Sequence, residues 1–380
     1  MKNSKLIALL VTVLMLLGLV AGCENLNKSK PAAEANNNEV SGTADAEAEP
    51  APGAKLKVIA SIFPQYDFLR RIGGDKIELS MLLSPGAESH SFEPTPKDLI
   101  EISESDLFVY VGGHGDKWVD ELLKTREEGK KTLALVDLVE TVEEEIVEGM
   151  EHHHHHEDED CCHHHHDDED AEHEHEDEDC CHHHHDDEDA EHEHEHEHHH
   201  HHEHELDEHV WTDPKNAIKI VQALTEALVE LDPENQDFYK ENAAAYLKEL
   251  EQLDQDFKDL VKNAKRKTIV VGDRFPFRYF TDAYGLDYYA AFPGCSTEGD
   301  ASPQTIVFLI EKVKEEGIPV VFHIELSNQK MAESIADASG AQVMLLHGAH
   351  NIAREDFEAG LTYLDIMRQN LENLRVALND

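Results

Sequence analysis

Residues 57–83 read KVIASIFPQYDFLRRIGGDKIELSMLL, and this stretch decides the fold. A β-branched run at 57–62 is followed by an amphipathic segment and then by a second apolar run at 77–83. Short strands that alternate with helical segments are typical of βαβ units, in which a helix crosses between two parallel strands. The stretch therefore predicts a parallel sheet with helices on its faces.

The same alternation continues through the rest of the chain. Six further apolar runs follow, separated by helical patterns, at 107–111, 132–136, 268–271, 288–292, 319–324 and 342–346. The eight runs fall into two groups of four. We therefore predict an α/β protein of two lobes, each a parallel sheet flanked by helices.

A long apolar seam lies between the two groups of strands. Apolar or small residues recur there in alternating steps of four and three, at Tyr239, Ala243, Tyr246, Leu250, Leu253, Phe257, Leu260 and Ala264. The spacing predicts one rigid helix over 233–265, about 45 to 50 Å long, with a continuous buried face. A helix that joins and braces the lobes fits this position best. A coiled-coil dimerisation helix is the alternative.

The start of the chain has the features of an exported lipoprotein. Two lysines within the first five residues precede an unbroken apolar run at 6–20, which is too short to span a membrane but typical of a signal peptide. The run ends in VAGC at 20–23, which resembles the bacterial lipobox. We predict a signal peptide over 1–22 and lipidation of Cys23, which would anchor an extracytoplasmic protein to the cell membrane.

The remaining boundaries follow from composition. Residues 23–54 are small and polar, with nothing to pack, and they are expected to form a disordered tether. The N-terminal lobe is then expected over 55–232 and the C-terminal lobe over 266–380, on either side of the long helix.

A histidine-rich insertion interrupts the first lobe. EDEDCCHHHHDDEDAEHEH at 157–175 is followed by an identical copy at 176–194. The stretch 151–205 holds 24 of the 30 histidines and 25 acidic residues, with no Lys or Arg. Imidazole, thiolate and carboxylate groups together bind many cations. We predict a mobile loop over 143–208 that binds metal ions weakly; whether it collects, senses or buffers them stays open.

The net charge and the cysteine positions disfavour two further classes of protein, nucleic-acid-binding proteins and disulfide-stabilised folds. The formal net charge is −50, which disfavours binding to nucleic acid and attracts cations. Apart from Cys23, the cysteines are two vicinal pairs in the repeat and Cys295, a poor set for a disulfide framework. Cys295 is expected to be a partly buried free thiol.

Three histidines outside the insertion lie where a rigid metal site could form. His90, in SPGAESHSFEPTP, follows a predicted strand; His209, in DEHVWTDPKNA, precedes a predicted helix; and His347 follows the last apolar run. Ligands of open α/β sheets bind at the carboxyl ends of the strands. We therefore predict His90, His209 and His347 as metal ligands in the cleft between the lobes, with His350 as an alternative to His347.

Two motifs carry a resemblance to a known family. GAESHSFEPTPKDL at 86–99 and HVWTDPKNA at 209–217, with a histidine-rich loop between them, resemble the metal-specific solute-binding lipoproteins of bacterial ABC importers, particularly the zinc-binding branch. The resemblance covers roughly 55–380. It implies two α/β lobes, a rigid interlobe helix and one buried ion that is delivered to a membrane permease and its ATPase. The first-lobe ligands of the family map onto His90 and His209.

The second lobe departs from the family pattern. Members usually carry a histidine, or a glutamate in manganese binders, at the position of Arg274, and an acidic residue at the position of His347. Arginine stays protonated and cannot ligate a cation, so we expect Arg274 to be turned away or paired with Asp273 or Glu325. Water, Asp273 and Glu325 all remain open as the fourth ligand.

The predicted function is capture of zinc outside the cytoplasm for an ABC importer, by a monomer that is not an enzyme. Three imidazoles favour zinc over manganese, which prefers oxygen ligands, although a manganese- or nickel-binding member is the alternative. A zinc hydrolase would need a general base and a substrate pocket, for which the sequence carries no signature. A surface metal buffer or adhesin, with the repeat as its working part, is the remaining alternative.

Overall fold

The computed structural model describes residues 55–88, 92–124, 126, 129–150, 206–296 and 301–380. The predicted signal peptide, Cys23, the tether, His90 and the repeats lie outside the described residues. No helix in the described ranges is long and apolar enough to cross a membrane.

The first lobe contains a four-stranded parallel sheet. Its strands are β1 (Leu56–Ala60), β2 (Ile77–Met81), β3 (Leu107–Tyr110) and β4 (Lys131–Ala134), in the order β2-β1-β3-β4. Its helices are α1 (Phe63–Gly73), α2 (Pro96–Glu104), α3 (Lys117–Leu123) and α4 (Pro214–Leu231). The sheet confirms the βαβ pattern predicted from residues 57–83.

Two helices of this lobe begin where local chemistry places them. Thr95 caps α2, since its side chain accepts from the backbone N–H of Asp98. The side chain of Asp213 accepts from the backbone N–H of Lys215 at 2.9 Å, and Pro214 is the first residue of α4. The start of α4 matters because it fixes the segment that carries His209.

The second lobe repeats the architecture. Its parallel strands are β5 (Thr268–Phe275), β6 (Asp287–Pro293), β7 (Val320–His323) and β8 (Gln342–Leu345), in the order β6-β5-β7-β8. Its helices are α6 (Arg278–Tyr284), α7 (Pro303–Glu316), α8 (Lys330–Ser339), α9 (Arg354–Ala359) and α10 (Tyr363–Asn379). The predicted fold class is confirmed.

A long helix, α5 (Gln236–Lys262), lies between the lobes. It has 27 residues and is therefore about 40 Å long, shorter than predicted because Pro233–Asn235 forms a separate 3-10 turn. It packs against α1 and α4 of the first lobe and against α6 and α10 of the second. Its seam is buried within the chain, as a bracing helix requires, so this face is not available for a coiled coil.

The segments on either side of the histidine-rich stretch 151–205 lie side by side. Glu143 and Leu206 form an isolated antiparallel bridge, and the backbone N–H of Asp207 donates to the carbonyl of Val142 at 3.0 Å. The chain therefore leaves and re-enters the lobe at one place, as an insertion would. The repeats themselves lie outside the described residues.

Candidate metal centre

A cavity of about 270 Å³ lies between the two lobes, at the carboxyl ends of strands. The first lobe lines it with Ala87, Glu88 and His209, and the second with residues that include Asp273, Arg274, Gly294, Glu325, His350 and Asn351. The cavity is the cleft in which the sequence predicts a metal site.

His209 lies on the first-lobe side, directly before a 3-10 turn at Val210–Thr212. Its ring is buried, and its Nδ1 is 3.1 Å from Oδ1 of Asp207, which also accepts the backbone N–H of His209 at 2.8 Å. Because an ionised carboxylate can only accept, we assign the ring proton to Nδ1, so that Nε2 keeps its lone pair. Metal-binding imidazoles are commonly oriented by a carboxylate in this way.

The surroundings of His209 favour a positive charge. Burial alone would lower the pKa of His209, but the charge and hydrogen bond of Asp207 oppose it. Glu208 and Glu144 add to the effect, and the pKa of His209 is raised above its ordinary value. A cation at this ring is therefore stabilised by the same carboxylates.

Gly294, after β6, lets the second lobe approach His209 closely. A Cβ at this position would lie 3.1 Å from Cε1 of His209 and 2.8 Å from the carbonyl oxygen of Phe275. A larger residue would crowd the Phe275 carbonyl of the same lobe and the imidazole of His209. The glycine thus allows the second-lobe backbone to pack against the imidazole.

His350 faces His209 from the second lobe. The two ring centroids are 5.4 Å apart, with 78° between the ring planes. Two imidazoles bound to one tetrahedral zinc, with Zn–N distances of 2.0 to 2.1 Å, have centroids about 5 Å apart. Trp211 packs edge-on against both rings, at 5.5 Å from His209 and 5.1 Å from His350. The spacing of this pair fits one shared ion.

His347, the predicted second-lobe ligand, does not line the cavity. The backbone N–H of Ala349 donates to its Nδ1 at 2.9 Å. Oε2 of Glu325 is 3.4 Å from the same nitrogen, which is longer than an ordinary hydrogen bond, so we take Nδ1 as an acceptor. In the neutral ring Nε2 then carries the proton and cannot ligate. The geometry favours His350 over His347.

Glu325 fixes the turn that carries His350. Its Oε2 accepts the backbone N–H of Gly348 at 2.6 Å, and its Oε1 accepts the backbone N–H of His350 at 2.9 Å. The turn is strained at Ala349, whose φ is 56°. With both oxygens already occupied by backbone donors, Glu325 acts on the site by holding His350 rather than as the first choice of ligand.

Arg274 is paired with a first-lobe carboxylate. Its Nη1 is 3.2 Å from Oε1 of Glu88, whereas Arg274 contacts Asp273 through its backbone N–H, which donates to Oδ1 at 2.9 Å. The expected pairing with the side chain of Asp273 or Glu325 is therefore wrong. Glu88 neutralises the guanidinium at the cavity wall, which removes the cost of an unpaired cation beside the site.

The other chemically active side chains have local partners. His323 is buried, with Nδ1 2.9 Å from the carbonyl of Ile324, and His114 is exposed, with Nδ1 2.8 Å from Nζ of Lys117. Cys295 is half-buried, and burial together with the nearby Glu144 raises the pKa of its thiol. A thiol held protonated is a poor metal ligand.

Within the part of the chain that the structure describes, no three His, Cys, Asp or Glu side chains converge closely enough to hold an ion. The predicted ligand His90 lies outside that part.

Contacts between the lobes surround the candidate site. The side-chain amide of Asn351 donates to the carbonyls of Ser84 and Ala87, at 2.9 and 2.7 Å, and the backbone N–H of Gly86 donates to Ile352 at 2.8 Å. These bonds tie the loop that leads to Glu88 to the segment that carries His350. No local signal in the sequence points to them, because the partners are more than 260 positions apart.

Comparison with known families decides the identity. A family model described as zinc-uptake complex component A, periplasmic (ZnuA), matches residues 58–377. The chain belongs to the ZnuA family. This family consists of solute-binding transport components that work outside the cytoplasm, so the predicted family and fold are confirmed.

Similar proteins from two bacteria are named as zinc uptake or zinc-binding proteins. The high-affinity zinc uptake system protein ZnuA of Bacillus subtilis (strain 168) is 29% identical over 350 residues, which cover 91% of this chain and 93% of that protein. The zinc-binding protein AdcA of Streptococcus pyogenes serotype M3 is 30% identical over 322 residues, which cover 85% of this chain. The match spans 56% of that AdcA, so this chain corresponds to about half of it.

Solved structures agree on the fold. The Zn(II)-bound ZnuA-like domain of Streptococcus pneumoniae AdcA superposes with a TM-score of 0.63 and covers 86% of this chain and 100% of that domain. At 24% sequence identity this likeness shows the two-lobe fold alone.

Proposed function

We propose that this ZnuA-family protein captures a zinc ion in the interlobe cavity and presents it to the permease of an ABC importer. The observation that carries the proposal is the pair of imidazoles, His209 and His350, which reach one cavity from different lobes with centroids 5.4 Å apart. The permease, its ATPase, a monomeric state and a lipid anchor at Cys23 are part of the same proposal.

The proposed ligands are His90, His209 and His350. His90 follows Glu88, a cavity-lining residue, by two positions in the sequence. Three neutral imidazoles with water or a carboxylate suit zinc better than manganese, which prefers oxygen. A manganese or nickel cargo is the alternative, and the fourth ligand stays open between water, Asp273 and Glu325.

Binding and closure are coupled in this arrangement. The imidazoles replace water ligands of the ion, and because they come from both lobes, the ion favours the state in which the lobes are together. Asn351 and the Arg274–Glu88 pair support the same state by bonding across the cleft. The closed form is what the permease would recognise.

A pair of histidine variants tests the assignment. We expect His350→Ala to weaken the tight zinc site by more than about 100-fold, because losing a ligand costs more than the 10–100-fold of losing an outer partner. His347→Ala, which removes only the acceptor for Ala349, should cost less than that. Zinc affinity is measured by competition with a chelator on the full chain. A larger loss with His347→Ala than with His350→Ala would return the ligand role to His347.

Zinc affinity should fall with acidification. Zinc binds neutral imidazole, and the raised pKa of His209 means that its ring is still protonated above the ordinary value of about 6.5. As the pH is lowered, zinc affinity therefore starts to fall before the pH reaches that value. The fall is about tenfold per pH unit for each ligand that takes up a proton.

The variant Asp207→Asn checks the physical cause. It removes the carboxylate that contributes most to raising the pKa of His209, so zinc affinity should start to fall at a lower pH than in the wild type. At high pH the variant should bind zinc more weakly than the wild type, because the imidazole loses the group that orients it. A series of titrations across pH measures both effects. If zinc affinity starts to fall at the same pH in Asp207→Asn as in the wild type, this account of His209 is contradicted.

A further inference from the structure

One second-lobe hydroxyl joins the two flanks of the histidine-rich insertion. Tyr279 lies in the first turn of α6 and is buried. The backbone N–H of Val142 donates to its hydroxyl oxygen at 3.3 Å, and the hydroxyl donates to the carbonyl of Asp207 at 2.7 Å. Val142 precedes the histidine-rich stretch 151–205 and Asp207 follows it, so a single side chain fixes the chain on both sides of that stretch to the second lobe.

The hydroxyl is connected to the candidate site through Asp207. The carbonyl of Asp207 accepts from Tyr279, while its carboxylate accepts from the backbone N–H of His209 and lies 3.1 Å from the imidazole Nδ1. Moving the backbone of Asp207 would therefore move the carboxylate that contacts the imidazole of His209, a residue that lines the cavity. The chain of contacts crosses from the second lobe to a first-lobe imidazole.

Packing alone does not account for the hydroxyl. The ring of Tyr279 belongs to the buried core, which a phenylalanine would also fill. The hydroxyl makes two hydrogen bonds, and burial together with the nearby Asp207 raises its pKa to about 12, so it remains a neutral donor. Its distinct contribution is to hold Asp207 and Val142 in place.

We propose that Tyr279 is a positioning residue for zinc binding: from the second lobe it holds Asp207, and through Asp207 it keeps His209 aligned with His350. The proposal rests on the zinc-capture function proposed above. It also means that separation of the lobes would break the Tyr279–Asp207 bond and release the His209 imidazole. Zinc release and lobe opening would then be linked through this hydroxyl.

The matched variants are Tyr279→Phe and Tyr284→Phe. Both tyrosines are buried on α6, but the hydroxyl of Tyr284 donates to Asp254 on the long helix at 3.1 Å, away from the cavity. Each variant removes one buried hydroxyl from the same helix. A loss of stability common to both therefore reports a structural role, and a loss of zinc affinity in Tyr279→Phe alone reports positioning.

Three readouts on the full chain separate the outcomes: zinc affinity by chelator competition, the Tm of the zinc-free protein, and the absorption spectrum of the Co²⁺ form. We expect about tenfold weaker zinc binding and an altered Co²⁺ spectrum in Tyr279→Phe, at the low end of the range for outer partners. Tyr284→Phe should lower the Tm without either change. Wild-type affinity in Tyr279→Phe, or equal losses in both variants, would overturn the proposal.

A double-mutant cycle with Asp207→Ala tests the route. If Tyr279 acts through Asp207, adding Tyr279→Phe to Asp207→Ala should cause no further loss of zinc affinity. Fully additive losses would show that Tyr279 acts by another route and would overturn the inference. Failure of the zinc-capture proposal itself would look different, since His209→Ala would then leave tight binding intact.

Discussion

Replacing His209 with alanine is expected to abolish tight zinc binding. The variant removes the imidazole that Asp207 orients and that faces His350 at 5.4 Å, so the ion loses one of two described ligands from opposite lobes. The loss should exceed the 10–100-fold that removal of an outer partner typically costs. Calorimetric titration of the full chain should then show only weak, multiple binding, which we assign to the insertion.

His323→Ala is the matched control for this experiment. Like His209, His323 is a buried histidine, but its ring nitrogen contacts the carbonyl of Ile324 and it does not line the cavity. It should lose stability while keeping the tight site. Tight binding that survives His209→Ala, or that His323→Ala removes equally, would count against the proposed ligands.

The second large effect is expected from Trp211. The indole is fully buried, its Nε1–H donates to the carbonyl of Gly348 at 2.8 Å, and its ring packs against His209 and His350. Trp211→Ala should lower the free energy of unfolding of the zinc-free protein by about 3–5 kcal/mol. It should also weaken zinc binding, because the packing between the two imidazoles is lost.

Two further variants separate packing from hydrogen bonding at this position. Trp211→Phe keeps an aromatic ring but leaves the Gly348 carbonyl without its donor, which typically costs about 1–3 kcal/mol. Trp118→Ala, at a partly buried indole in the first lobe, is the control and should leave zinc affinity unchanged. Urea denaturation and chelator competition measure the two effects. A Trp211→Ala variant as stable as Trp118→Ala would contradict this role.

The fold was accessible from the sequence because its determinants are local. Each of the eight strands overlaps an apolar run, and the cap at Asp213 with Pro214 places the start of α4 correctly. The long helix was predicted too long, since the prediction began directly after Asp232 and included Ala264, whereas the backbone is α-helical only over Gln236–Lys262. Periodicity identifies a buried face but not the last hydrogen bond of a helix.

The candidate site was predictable only in part. His209 was identified because its motif lies directly before a capped helix. The choice between His347 and His350 depends on two observations that the sequence does not show. Nδ1 of His347 accepts the backbone N–H of Ala349, and Glu325 accepts the backbone N–H groups of Gly348 and His350. The partner of Arg274 was missed for the same reason, as Glu88 lies 186 positions away.

The central claim is that tight zinc binding belongs to the cavity and not to the histidine-rich insertion. Because Glu143 and Leu206 already lie side by side, residues 151–205 can be deleted and the ends joined by a short linker. Zinc titration of this deletion variant, with and without His209→Ala, is the most direct test. We expect one tight equivalent of zinc in the deletion variant and none after His209→Ala is added. Loss of the tight equivalent on deletion alone would contradict the account.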